Sequence, residues 1–172
     1  TSTGGTVVIG SANNGTGLLN NTGNALVLDA SKGAWQVGTS GTLQGGSVQV
    51  SGGASLSLTG GTLDGVELRS DVTMGPGGSA TIRNGLTLTN AALTMAASGQ
   101  NGGQTTALTF NGPQTVGGTG GRLVFAGTPL FAGNNSVHLS GTGAVVTFGP
   151  GVTVQETTKS AWSASAGQGY VN

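Results

Sequence analysis

The chain has 172 residues, of which 36 are Gly and none is Cys, with five Lys and Arg balanced by five Asp and Glu. Charged residues make up 6% of it, against about 25% in an ordinary soluble domain, so no basic footprint exists for nucleic acid, whose binding requires several phosphates to be neutralised. Glycine at this density excludes long amphipathic helices, because each costs about 1 kcal/mol relative to Ala, and no apolar run approaches the roughly 20 residues of a membrane-spanning helix.

The stretch from Thr1 to Gly17 alternates apolar and polar residues and turns at Gly, with no signal peptide or initiator Met. It reads as the start of a mature or excised piece. Period-two runs then recur along the chain: Ala25-Leu26-Val27-Leu28, Ser47-Val48-Gln49-Val50, Ser55-Leu56-Ser57-Leu58 and Val66-Glu67-Leu68. They continue as Leu86-Thr87-Leu88-Thr89, Ala107-Leu108-Thr109-Phe110, Leu123-Val124-Phe125, Val137-His138-Leu139 and Val152-Thr153-Val154. Such runs are half-buried strands, one face inward and one wet. Gly-Gly, Asn-Gly and Pro-Gly steps between them, such as Gly52-Gly53, Asn84-Gly85 and Pro150-Gly151, supply corners, since Gly and Asn tolerate positive φ. Abundant Gly and Ser raise the prospect of disorder, but disordered chains lack regular apolar runs.

The corners repeat. Gly41-Thr42-Leu43-Gln44-Gly45 returns as Gly61-Thr62-Leu63-Asp64-Gly65, with Thr87-Leu88 as a third occurrence. A second family covers positions 54–60, 79–85 and 106–112, with 143–149 as a looser copy. One such unit cannot bury its apolar face alone, whereas stacked units share an interior. The expected fold class is therefore all-β, a parallel β-helix (β-solenoid) of roughly 7 coils rising at about 4.8 Å each. An antiparallel sandwich or jelly roll is the competitor. Residues 1–158 form the expected solenoid. Residues 159–172, where alternation fades from Ser160 to Tyr170, are expected to be a cap, a linker or a tail.

The stretch 41–74, followed by 84–95, resembles the repeats of large secreted bacterial β-helix proteins, namely autotransporter passenger domains and filamentous-haemagglutinin-like adhesins. The resemblance spans roughly Leu26 to Gln155. It implies a right-handed parallel β-helix, export to the cell surface or beyond, and a structural or adhesive role as a segment of a longer protein.

Candidate chemistry is sparse. Asp64, Glu67 and Asp71 lie close in sequence, with Asp29 and Glu156 apart. Paired carboxylates about 5 to 10 Å apart could cleave a glycosidic bond, and polysaccharide-acting enzymes share this architecture. Here the bases Lys32, Arg69, Arg83, Arg122 and Lys159 are dispersed, so solvated polar positions with Arg69 as a neighbour are the expected reading. His138 is the single histidine and is expected to face outward between the inward Val137 and Leu139. No catalytic, cofactor or metal residues are assigned. The Gly118-Thr119-Gly120-Gly121 string precedes no helix and carries no nucleotide signal. Outward threonines such as Thr87 and Thr89 give an ice-binding alternative. Trp35, Trp162 and Tyr170 offer stacking surfaces for carbohydrate, although an end plug is the simpler role. The sequons at Asn14, Asn20 and Asn134 matter only in a glycosylating host. The expected partners are flanking coils or a second copy, end to end, and surface carbohydrate. With few titrating groups, stability is expected to be flat between about pH 4 and 9.

Overall fold

The computed structural model describes residues 5–10, 15–99, 104–128, 134–165 and 167–171. The fold is all-β, and strands hold 67% of the described residues. After β1 (Thr6–Ile9), the strands come in groups of three along the chain. The first group is β2 (Gly17–Asn20), β3 (Ala25–Leu28) and β4 (Ala34–Gly38), followed by β5 (Gly41–Gln44), β6 (Ser47–Val50) and the start of β7 (Ser55–Leu68). The later part of β7 rounds two corners and leads into β8 (Val72–Met74), β9 (Ser79–Thr89) and β10 (Ala92–Ser98). Then come β11 (Thr106–Asn111), β12 (Gln114–Thr119), β13 (Gly121–Thr128), β14 (Asn135–Ser140), β15 (Val145–Phe148) and β16 (Val152–Glu156). The last two are β17 (Ala161–Ser163) and β18 (Gly169–Val171).

Each strand pairs with its counterpart one group away, and the pairings between these strands are all parallel. An isolated antiparallel bridge joins Ser98 and Gln104. The first strands of each group form one column from β2 to β17, and the second strands form another from β3 to β18. The third strands make a ladder β1–β4–β7, and β8 opens a separate four-stranded ladder with β10, β13 and β16. These recurring parallel columns are compatible with a β-solenoid and exclude an antiparallel sandwich.

Period-two alternation produces the core, because in a strand successive side chains point to opposite faces. On the first column the inward positions stack in register as Leu19, Leu43, Leu63, Ile82, Phe110 and Leu139. Leu43, Leu63, Ile82 and Phe110 are fully buried, each contributing about 1.5–3 kcal/mol by leaving water. The neighbouring inward row changes size along the stack. Gly17 faces Gly41, whereas Gly61 faces Ala80, followed by Leu108, Val137 and Trp162. A Cβ at Gly41 would lie 2.0 Å from the Ile9 carbonyl oxygen, and one at Gly61 2.4 Å from Val37 Cγ1. The backbone of the preceding turn and, at Gly61, the Val37 side chain occupy the volume that a side chain fills further along.

Polar atoms of the interior are paired. Asn135 is fully buried. Its Oδ1 accepts hydrogen bonds from the Ala97 amide (3.1 Å) and the Thr106 hydroxyl (2.6 Å), and its Nδ2 donates to the Ala126 carbonyl (2.9 Å). Four segments are thereby tied at one corner, where removing the side chain would leave several buried groups unsatisfied.

Two sequence expectations about the repeats change. The motif pair at Gly41 and Gly61 is structurally equivalent, since Leu43 pairs with Leu63, but Thr87-Leu88 lies on the second column opposite Glu67-Leu68. In the second repeat family, the copies at 79–85 and 106–112 are equivalent through Ile82 and Phe110. Leu56 and Leu58 instead pair with Trp35 and Val37 on the third ladder, and Val145–Phe148 sits on the second column. Every face asks for the same local pattern, so similar phrases settle on different faces. The segment after residue 158 carries β17 and β18, which extend two columns by parallel pairing to β14 and β15. The Asn14 of the first sequon lies outside the described residues.

Candidate functional site

The acidic residues that are close in sequence are separated by the corners. Asp64 ends the first-column segment of β7, where Asn84 Nδ2 donates to its Oδ1 (2.6 Å) and Gln44 Nε2 to its Oδ2 (3.3 Å). Glu67 lies on the second column, 2.9 Å from Arg69 Nη2, and accepts the Thr89 hydroxyl proton (2.7 Å). The Arg69 guanidinium, then the Thr89 hydroxyl, holds the Glu67 carboxyl below its ordinary value. Asp71 lies outside any strand, accepts the Ala92 amide proton (2.8 Å) and stands 4.0 Å from Arg122. Asp29 is drawn down to about 2 by the Ser31 hydroxyl and by Lys32, 3.0 Å away. Each carboxylate is thus an acceptor serving a corner or a ladder neighbour. Among the described residues no three of His, Asp and Glu gather as a metal site would require.

His138 is exposed between buried Val137 and half-buried Leu139, and its Nδ1 lies 2.6 Å from Ser163 Oγ. Among the described residues no carboxylate bonds to this pair, so it lacks the third member that orients a catalytic base. The sequon at Asn134 is buried together with Asn135 and Ser136, so it presents no acceptor to an enzyme.

Two surface features are visible only in the folded chain. One is an outward row on the first column, where Thr42, Thr62, Thr81 and Thr109 stand in consecutive register. Leu18 precedes the row, and His138 and Ser163 follow it. Beside it run Gln44, Asp64 and Arg83. The sequence steps from Thr42 to Thr62, Thr81 and Thr109 are unequal, so no fixed period betrays the row.

The other feature is a groove of about 760 Å³ over the last strands, lined by residues including Phe148, Val152, Val154, Glu156, Trp162 and Tyr170. Trp162 makes edge-to-face contacts with Phe125, Phe148 and Tyr170 at centroid distances of 5.4, 6.0 and 4.8 Å. Such pairs add about 0.5–1.5 kcal/mol each beyond burial. The Tyr170 hydroxyl donates to the Ser163 carbonyl (3.0 Å), and burial pushes its pKa up to about 12. Trp35 is far along the stack, where it pairs in register with Val7 and Leu56 and donates from Nε1 to the Lys32 carbonyl (3.2 Å).

No helix of the described residues is long and apolar enough to cross a membrane. No protein-family model, curated protein or solved structure matches the chain.

Proposed function

We propose that the chain is a right-handed parallel β-solenoid of about seven coils that serves a structural or adhesive purpose without catalysis. In this reading it is a segment of a large secreted or cell-surface bacterial protein. The observation that carries the reading is the in-register parallel pairing from β2 through β17, in which backbone hydrogen bonds run along one axis and give stiffness independent of charge. Among the described residues, the strands at both ends of the columns have one unpaired edge, to which flanking coils or a second copy would add. Val7, Val8, Leu18 and Val27 are exposed on the first strands, Val154 and Val171 on the last. Unpaired parallel edges with apolar side chains recruit further strands, and zero net charge adds little repulsion. The groove beside Trp162 and Tyr170 offers aromatic edges for surface carbohydrate.

Concentration-dependent sedimentation tests the association. Species growing lengthwise with concentration are expected, and a strict monomer at the highest attainable concentration would remove self-association from the proposal. A polysaccharide panel with Asp64→Asn and Glu67→Gln controls tests the non-catalytic reading: turnover lost in either variant would replace it with an enzyme.

The threonine row favours a second reading, ice binding. Regularly spaced hydroxyls and methyls, about 4.8 Å apart along the column, are suited to ordering water. The charged Asp64 and Arg83 beside the row work against it. Thermal hysteresis abolished by Thr62→Lys would establish this reading, and no hysteresis would dismiss it.

A further inference from the structure

We propose that Asn84-Gly85 is a latent deamidation site and that Gln114 is the residue that holds it closed. In an Asn-Gly step the glycine nitrogen can attack the asparagine Cγ. The new C–N bond forms as the Cγ–Nδ2 bond breaks, and ammonia leaves carrying the amide proton. Water then opens the succinimide at either carbonyl, giving Asp or isoAsp. Glycine, lacking a Cβ, does not obstruct that attack. Asn84 is exposed, with φ 54°, and Gly85 follows with φ 92°. The two line a water-accessible groove of about 410 Å³ together with Gln114.

Both ends of the reaction are occupied in this structure. The Gly85 amide, the nucleophile, donates to Gln114 Oε1 at 3.2 Å. The Asn84 amide nitrogen, the leaving group, donates to Asp64 Oδ1 at 2.6 Å. Gln114 is itself fixed, because its Nε2 donates to the carbonyls of Ile82 (3.1 Å), Asn111 (3.2 Å) and Gly112 (3.4 Å). One side chain thus clasps two Asn-Gly corners on adjacent turns, Asn84-Gly85 and Asn111-Gly112. The Gly112 amide is held separately by the Ser140 carbonyl at 2.8 Å. Should Asn84 convert, a carboxylate would face Asp64, and isoAsp would insert a backbone atom beside the existing register shift between Asp64 and Val66. Either product loosens the corner.

The test is peptide mass spectrometry with isoaspartate labelling after incubation of the folded chain, the denatured chain and two variants in mildly alkaline buffer. The Asn14-Gly15 step serves as an internal reference. Folded wild type is expected to convert at position 84 much more slowly than the denatured chain. Gln114→Ala is expected to raise that rate roughly fivefold or more, the factor that one hydrogen bond commands. Gln114→Glu keeps an acceptor for the Gly85 amide but sets a carboxylate oxygen against the Ile82, Asn111 and Gly112 carbonyls, so its rate is expected to fall between those of wild type and Gln114→Ala. Equal rates in folded and denatured wild type would overturn the proposal, as would a Gln114→Ala rate no faster than that of the folded wild type. The first comparison needs no variant, so it decides the matter even if Gln114→Ala misfolds.

Discussion

The first turns of the stack and the last turns solve the same packing problem with different means. Around β5 and the middle of β7, stacked partners such as Leu43 and Leu63 are joined by short turns, and the row beside them is built from Gly17, Gly41 and Gly61. From β9 to β14 the chain between partners lengthens, as from Ile82 to Phe110 and on to Leu139, and the same row holds Leu108, Val137 and finally Trp162. Where the chain between partners is short the row is small and tightly packed at Gly41 and Gly61, and where it is long the interior holds Phe110, Phe125, Phe148 and Trp162. The ends differ as well: Val7, Val8, Leu18 and Val27 are exposed at one, while at the other an aromatic cluster of Phe125, Phe148, Trp162 and Tyr170 packs beside exposed Val154 and Val171.

Substitutions can sharpen this contrast. The largest effect is expected for Phe110→Ala in a wide turn, about 3–5 kcal/mol by denaturant unfolding, because its neighbours cannot close the cavity. Gly61→Val in a narrow turn fails for the opposite reason. Even its Cβ meets the Gly38 carbonyl oxygen at 2.8 Å and Val37 Cγ1 at 2.4 Å, and overpacking of this sort costs about 1–3 kcal/mol. A neutral Gly61→Val would mean that the close approach of Val37 and the Gly38 carbonyl is not what keeps this position glycine. Trp162→Ala, at a half-buried side chain, should cost less than Phe110→Ala and free β17 and β18 first, seen as amide exchange gained there while β9 stays protected. At the other end Leu18→Ser, on a side chain 66% exposed, should stay within about 0.5 kcal/mol.

The pH response separates the ends more gently. Asp29 and Glu67 titrate below their ordinary values of 3.8 and 4.5 in the folded chain. Their contribution is complete above those values and is lost as pH falls toward about 2, the folded value of Asp29. Tyr170 is raised from 10.0 to about 12. Its contribution is complete below pH 10 and disappears as pH rises through 12, at the aromatic end. Thermal melts should therefore be level from about pH 5 to 9. A steep change inside that window would mean that some other group is coupled to folding.

Alternation and glycine corners made β3, β6, β7, β9, β11, β13, β14 and β16 legible in the sequence, though not β4, β8, β10 or β12, and the Gly41 and Gly61 motifs share one register. Face assignment was not legible, because Leu56-Ser57-Leu58 and Thr81-Ile82 present the same local chemistry on different ladders. β17 and β18 were missed for a related reason: short strands around Trp162 and Tyr170 owe their conformation to the edges of β14 and β15. The threonine row, the Asn135 pin and the Gln114 clasp depend on residues brought together across turns of unequal length, which no fixed sequence spacing reveals.

The central claim is that successive turns rise by one strand spacing in parallel register. The absence of Cys permits clean nitroxide pairs, with one label at Thr42 and the other at Thr109, His138 or Ser163, three, four and five turns along the same column. Their separations are expected to climb in even steps of about 4.8 Å, from roughly 14 to 19 to 24 Å. Separations that fail to rise in that order, or that jump by much more than one spacing, would contradict the stack.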